Sequence, residues 1–324
     1  FMSCSVGFCT ASRNPGNGGT DLLAATQAAL NEACNNAPSA IRAYAEGMQC
    51  ESDTRSVLAD EAAIALEDGQ IRPWYQPQIS TDTGLVTGFE ALARWVHPER
   101  GVISPAEFLP VLEDSGQMER LGEVMLNHAM TALNDWDKAG VTVPQVGVNF
   151  ASQELRNPKL VEKIRWELDR FDIAAERLSV EVLETVVAAS PDDTISRSIN
   201  GLAKLGCHID LDDFGTGHAS ISSIRRFAVG RIKIDRSFVM KVDRDPEQQR
   251  MVAAILTMAE RLDLDTLAEG VETVGEHAML AQLGCGHVQG FGIARPMPLE
   301  QTFDWIRAHN AKLEDAPKIS RTGD

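Results

Sequence analysis

The stretch Cys207-His-Ile-Asp-Leu-Asp-Asp-Phe-Gly-Thr-Gly217 decides the fold. Its first half, Cys207–Asp212, reads as a strand, and the run ends on two adjacent carboxylates, Asp212 and Asp213, before a glycine-rich turn. The pattern recurs in both directions along the chain. Upstream, Leu178–Leu183 carries Glu181 inside an otherwise apolar strand, with Glu184 directly after it, and Gln145–Asn149 finishes on an amide. Downstream, Arg231–Asp235 alternates charge with isoleucine and sets Lys233 between Ile232 and Ile234, while Thr266–Glu269 closes on Glu269. Arg72–Gln78, Leu85–Trp95 (which holds Glu90) and His287–Gln289 complete eight strand-like runs.

Arg72–Gln78 and Leu85–Trp95 flank the turn signal Ser80-Thr-Asp-Thr-Gly84, which predicts an antiparallel hairpin. Helical stretches separate the other runs, the pattern of βα units and a parallel sheet. One helix start is explicit: Ser104-Pro-Ala-Glu107 has capping-box spacing with Pro105 at the first helical position. Asn157-Pro158 and Pro191-Asp-Asp193 precede further helical patterns. Eight strands over this length predict a closed TIM-like βα barrel rather than an open sheet. Ahead of it, residues 1–50 read as a short α+β fragment: a strand over Met2–Thr10, a loop at Asn14–Gly19, a helix over Asp21–Cys34 and the apolar segment Ala40–Tyr44. That is too little chain to enclose a core alone, and the chain reads as a piece of something longer. A helix from about Arg55 to Glu67 leads into the barrel, so the domain boundary is expected between Tyr44 and Thr54, with residues 51–324 forming the main domain.

The chain is 44% hydrophobic and 24% charged, the composition of a globular protein, and its apolar runs are too short to cross a bilayer. Its 47 acidic against 30 basic residues give a net charge of -17, which disfavours polymeric nucleic acid and anionic membrane as partners. Cys4, Cys9, Cys34, Cys50, Cys207 and Cys285 form no C-x-x-C pair and no zinc spacing, which fits a reducing, cytoplasmic setting.

Most of the negative charge serves solubility, but the strand-end acids need another account. Barrel strands present their C-terminal ends on one face, so Glu90, Asn149, Glu181, Asp212, Asp213 and Glu269 are expected to converge there. Such a crowd repels itself, and burying even one unpaired carboxylate costs several kcal/mol. Lys233 alone cannot balance it; divalent metal can. An all-oxygen set suits Mg²⁺ or Mn²⁺, and the excess of carboxylates favours two ions per site, the arrangement used to cleave phosphoesters.

The motifs then spell a family. The series Tyr75-Gln-Pro77, Phe89-Glu-Ala-Leu-Ala-Arg-Trp95, Phe108-Leu-Pro-Val-Leu-Glu-Asp-Ser-Gly116, Val148-Asn149, Asp212–Gly217, Ile232-Lys-Ile-Asp-Arg-Ser-Phe-Val239, Ala268-Glu-Gly-Val-Glu-Thr273 and Gln289-Gly-Phe291 resembles EAL-domain cyclic di-GMP phosphodiesterases over residues 55–310. The resemblance implies a barrel whose first strand runs antiparallel to the rest, and hydrolysis of cyclic di-GMP to linear pGpG. It implies Glu90, Asn149, Glu181 and Asp212 around one metal, and Asp212, Asp213 and Glu269 around the second or its water. Lys233 would contact the attacking water or the scissile phosphate, Arg94 a substrate phosphate, and Gln76 and Gln289 would lie near the ligand. Glu184 would pin the loop that starts at Asp212-Asp213, at a barrel-to-barrel homodimer contact. Ca²⁺ is expected to inhibit, its looser shell misplacing the water.

Leu183 stands where threonine is common in that family, His218 where tyrosine often follows the glycine turn, and Ala93 where leucine is frequent. None removes a metal ligand, but Leu183 and His218 flank the loop that Glu184 would pin. Residues 1–50 resemble the closing part of a GGDEF cyclase domain without its nucleotide-binding half, so no cyclase activity is expected. The alternative to an enzyme is a receptor that binds cyclic di-GMP without turnover.

Overall fold

In Leu178-Ser-Val-Glu-Val-Leu183 successive side chains point to opposite faces. Leu178, Val180 and Val182 form one buried row, and Ser179 and Glu181 form another. The same division runs through Ile209 and Leu211 against Asp210 and Asp212, and through Ile232 and Ile234 against Arg231 and Lys233. Strands that are buried on both faces, apolar on one and polar on the other, suit a barrel with a greasy outside under helices and a polar inside.

That is the architecture of the computed structural model, which describes residues 4–10, 19–36, 40–45, 58–59, 61–189, 193–217, 224 and 226–314. Nine strands form its main sheet: β3 (Ile71–Ser80), β4 (Val86–His97), β5 (Gly101–Ile103), β6 (Val146–Asn149), β7 (Leu178–Leu183), β8 (His208–Phe214), β9 (Arg231–Ile234), β10 (Asp265–Ala268) and β11 (His287–Val288). The order β3-β11-β10-β9-β8-β7-β6-β4 closes on itself through β3–β4, an eight-stranded barrel, with β5 added outside β4. β3 is antiparallel to both its neighbours, and the strands from β4 through β6 to β11 run parallel. All eight strand-like runs of the sequence are barrel strands, displaced by at most two residues at an end, and the Ser80–Gly84 turn joins β3 to β4 as expected.

Two compact units divide the chain: Phe1–Asp68 with Ser104–Gln117, and Gly69–Ile103 with Met118–Asp324. In the first, β1 (Val6–Phe8) and β2 (Ile41–Ala43) pair in parallel, and α1 (Gly19–Asn36) packs on Gly7 so closely that an added Cβ would lie 2.0 Å from the Leu30 nitrogen. Ala25, Ala29 and Tyr44 form a small core there, with Cys9 against it. Helix also covers 58–59 and 61–67. α2 (Pro105–Asp114) starts at the expected capping box, with Ser104 as N-cap and Glu107 completing it. The expected boundary between Tyr44 and Thr54, the loop at Asn14–Gly19, Pro191-Asp192 and His218 fall on or run into residues outside the described set.

In the second unit the outer layer is anchored by α3 (Met118–Lys138). Its Trp136 stacks on Phe89 at 5.1 Å, meets Tyr75 edge-on at 5.4 Å and donates from Nε1 to Thr302 Oγ1. Tyr75 donates its hydroxyl proton to the His128 carbonyl. These contacts hold β3 and β4, and therefore Gln76 and Glu90, against a rigid wall. Among the described residues no helix is long and apolar enough to cross a membrane.

Candidate metal centre

Four parallel strands and their ends aim acids at one point. Glu90 comes from β4, Glu181 from β7, Asp212 and Asp213 from β8, and Glu269 directly follows β10. One oxygen from each of Glu90, Glu181 and Asp212 lies within 4.8 Å of the others, and the same holds for Asp212, Asp213 and Glu269. Asp212 is shared. β8 shifts register against β9 between Leu211 and Phe214, and Asp213 takes the left-handed backbone at φ 53°, so two consecutive acids serve the same mouth instead of opposite faces.

Lys233 occupies the middle of this set. Its Nζ lies 2.7 Å from Glu181 Oε2, 2.8 Å from Glu269 Oε1, 3.0 Å from Asp212 Oδ1 and 3.5 Å from Glu90 Oε1, and the side chain has no exposure to solvent. Asn149 bridges two of the acids, donating from Nδ2 to Glu90 Oε1 at 3.0 Å and Glu181 Oε2 at 3.3 Å. Gly147 stands beside Glu181, where a Cβ would come within 2.0 Å of Oε1.

The titration of these groups follows from crowding. Burial pushes Glu181 well above the ordinary carboxylate range, Glu90 adds to this and Lys233 opposes it. Burial also raises Glu269, to about 8, against the pull of Lys233 and with repulsion from Asp212 and Glu90. Asp213 rises to about 6 through burial and its neighbour Asp212, and Asp212 rises by burial against Lys233. Glu90 goes the other way: burial is outweighed by Lys233 and by hydrogen bonds that include those from Gln289 and Asn149. Neighbouring acids that cannot all ionise split in this way. Lys233 is held well above the usual lysine value, because the four carboxylates outweigh its desolvation.

These residues fit divalent cations. Glu181 Oε1 is buried and has no hydrogen-bond partner, a costly condition that a cation relieves. The donors are all oxygen, the set preferred by Mg²⁺ and Mn²⁺.

The remaining candidates sit around this centre. Gln76 is the cross-strand partner of Glu90, and Gln289 Nε2 donates to Glu90 Oε2 at 2.5 Å and to Gln76 Oε1 at 3.1 Å. Arg94 follows Glu90 and Leu92 on the same face of β4; its guanidinium donates to the Ala93 carbonyl, and burial lowers its pKa against the pull of Glu90. Glu184 Oε2 accepts from the backbone nitrogens of Gly215 at 2.7 Å and Gly217 at 3.1 Å, tying the turn after Asp213 to the end of β7. Leu183 is 41% exposed beside it.

Two features were not anticipated from sequence. Gln78 Nε2 donates to Gln289 Oε1, and Arg231 pairs with Asp210 deeper in the barrel. The Arg231–Asp210 pair was detectable, since both residues hold the inward parity of Lys233 and Asp212.

The chain matches the model of the EAL domain over residues 59–296. It is 32% identical over 302 residues to the bifunctional diguanylate cyclase/cyclic di-GMP phosphodiesterase MucR of Pseudomonas aeruginosa, covering 93% of this chain and 44% of that protein. It is 30% identical over 309 residues to the cyclic di-GMP phosphodiesterase PdeR of Escherichia coli, covering 95% and 46%. The chain thus spans less than half the length of these relatives. Among solved structures, the PaMucR phosphodiesterase in complex with c-di-GMP superposes with a TM-score of 0.72 at 34% identity, over 76% of this chain and 99% of that one. The EAL enzyme Bd1971 with cAMP and cyclic di-GMP bound superposes with a TM-score of 0.73 at 25% identity, over 79% and 70%. With the barrel, its antiparallel first strand and the convergent acids in place, this chain belongs to the EAL domain family.

Proposed function

We propose that this chain is a phosphodiesterase that hydrolyses cyclic di-GMP to linear pGpG with Mg²⁺ or Mn²⁺, two ions to a site. The observation that carries this reading is the convergence of Glu90, Glu181, Asp212 and Glu269 on one buried lysine, with Asp213 joining Asp212 and Glu269 in the second of two overlapping clusters that share Asp212. The names of MucR and PdeR and the c-di-GMP complex of PaMucR support the substrate.

Glu90, Asn149, Glu181 and Asp212 would hold one ion, and Asp212, Asp213 and Glu269 the other. Bound there, divalent cations neutralise charge at the phosphate and make water acidic enough to attack near neutral pH. Glu269 would hold the second ion or its bound water, and Lys233, kept protonated by the surrounding carboxylates, would contact the attacking water or the scissile phosphate. Lys233 stabilises the negative charge that grows on the phosphate. Arg94 takes the charge of a non-bridging phosphate oxygen at the mouth, and Gln76 and Gln289 line the ligand side of Glu90. The ribose 3′-oxygen leaves and pGpG results.

Residues 1–50 are read as the closing part of a GGDEF domain with its linker, and 51–324 as the EAL domain. The parallel β1–α1–β2 unit supports this, as does a match to MucR longer than the EAL segment itself. The barrel is proposed to pair with a second copy through the turn that Glu184 holds, and to work in the cytoplasm.

The test is chromatography of cyclic di-GMP incubated with the purified chain and Mg²⁺ or Mn²⁺. Linear pGpG that vanishes with EDTA, with excess Ca²⁺ or in Glu90→Ala is expected. Tight binding of cyclic di-GMP without product would replace the enzyme with a receptor.

A further inference from the structure

Three buried glutamines, Gln76, Gln78 and Gln289, form a hydrogen-bonded set of amides that ends on Glu90. Gln78 Nε2 donates to Gln289 Oε1 at 2.9 Å, and Gln289 Nε2 then donates to Glu90 Oε2 at 2.5 Å and to Gln76 Oε1 at 3.1 Å. Gln76 Nε2 is thereby turned to the Ala294 carbonyl, 3.0 Å away, in the segment after Gln289. Each side chain is buried, Gln78 the most completely at 1% exposure.

A primary amide accepts at one end and donates at the other. Placed against a carboxylate, its nitrogen end attracts and its oxygen end repels. Gln289 can therefore hold Glu90 in only one of its two flipped orientations. The Gln78 amide decides which, because its N–H occupies the Gln289 oxygen and leaves the Gln289 nitrogen for Glu90. The backbone of Gln289 has no such freedom: its N–H donates to the Ala268 carbonyl and its own carbonyl accepts from Val271. Gln78 itself lies opposite Gly88 in the hairpin, where a Cβ would stand 2.9 Å from Gln145 and 3.5 Å from Gln78 Oε1. With Gln289 on Oε2, that oxygen of Glu90 is fixed in direction.

We infer that Gln78 is a positioning residue for the metal centre: by setting the Gln289 amide it orients Glu90 toward Glu181 and Asp212. This rests on the reading of Glu90 as a metal ligand. Outer partners that orient a ligating side chain are worth about 10–100-fold in metal affinity. The Ala294 contact extends the same chain of amides to the Phe291–Arg295 segment, where the Arg295 guanidinium lies over the Phe291 ring at 4.3 Å.

The experiment measures Mn²⁺ binding to the purified chain by electron paramagnetic resonance, with unfolding in EDTA followed in parallel. Gln78→Met, nearly isosteric but unable to donate, should weaken Mn²⁺ binding about tenfold or more. Gln289→Met should do the same, and the double variant should be no weaker than Gln289→Met alone, since Gln78 acts through Gln289. The unfolding midpoint in EDTA should change little between Gln289→Met and the double variant. Unchanged Mn²⁺ affinity in Gln78→Met, or losses that multiply in the double variant, would overturn the inference. If Gln78→Met does not fold, Gln78→Asn, which keeps an amide but shortens its reach, carries the same comparison. Glu90→Ala separates the two readings: unchanged Mn²⁺ binding there sinks the metal assignment itself, whereas loss there with none in Gln78→Met sinks only the role of Gln78.

Discussion

Lys233 Nζ lies 2.7 Å from Glu181 Oε2, and neither side chain has any exposure to solvent. A lysine with one acid would be an ordinary buried pair. Here the same ammonium reaches Asp212, Glu269 and Glu90 as well, so it is the internal counter-charge of the whole mouth.

Removing that ammonium leaves several acids facing each other in a low dielectric. Breaking a buried ion pair from one side costs about 3–5 kcal/mol. Lys233→Met is therefore expected to lower the urea midpoint markedly in EDTA and to regain much of the loss on adding Mn²⁺, while turnover falls by orders of magnitude. Equal midpoints for variant and parent in EDTA would show that the lysine does not hold the acids together.

Metal binding should depend on pH in a direction set by the raised acids of the centre. Glu269 is raised to about 8 and Asp213 to about 6, and both must lose their protons to bind a cation. Mn²⁺ affinity should climb from pH 6 to 8 with net proton release. The sign for stability in EDTA is opposite: a raised acid contributes stability below its unfolded value near 4.5 that disappears as pH rises through about 8 for Glu269. Calorimetry in two buffers of different protonation enthalpy measures the protons released; none between pH 6 and 8 would contradict these assignments.

Gly147 supplies a sharper steric test. Gly147→Ala places a methyl group about where Glu181 Oε1 now lies, 2.0 Å from it. Glu181 must swing away, so Mn²⁺ affinity and turnover should fall together by tenfold or more, with the far-ultraviolet dichroism of the barrel retained. Parent-like affinity would mean that Glu181 holds no metal.

Glu184 is expected to act through backbone order. In Glu184→Gln one oxygen can still accept from Gly215 or Gly217, whereas Glu184→Ala leaves both nitrogens without this acceptor. Turnover should fall in the order parent, Gln, Ala, and protease cleavage after Asp213 should quicken in the same order. Cleavage rates that are identical in all three would remove the loop-holding role.

Much of this was legible in the residues. The parity of Glu181, Asp212 and Lys233 within apolar strands announced a polar barrel interior, because a strand must send alternate residues to opposite faces. The strand ends named the acids, and the turn at Ser80–Gly84 announced that the first strand runs against its neighbour. Gln78 was not legible, since its role depends on a bond to a residue 211 positions away.

Chain order by itself determined which residues become strands, which of their side chains face inward and which acids arrive at the mouth, since these follow from local periodicity and short turns. Only the closed barrel decided how the arrivals meet. It set Lys233 among four carboxylates, left Glu181 Oε1 without a partner and let one glutamine amide fix another. Those relations come from strand stagger and ångström-scale packing between distant segments, to which the spacing of residues along one strand is blind.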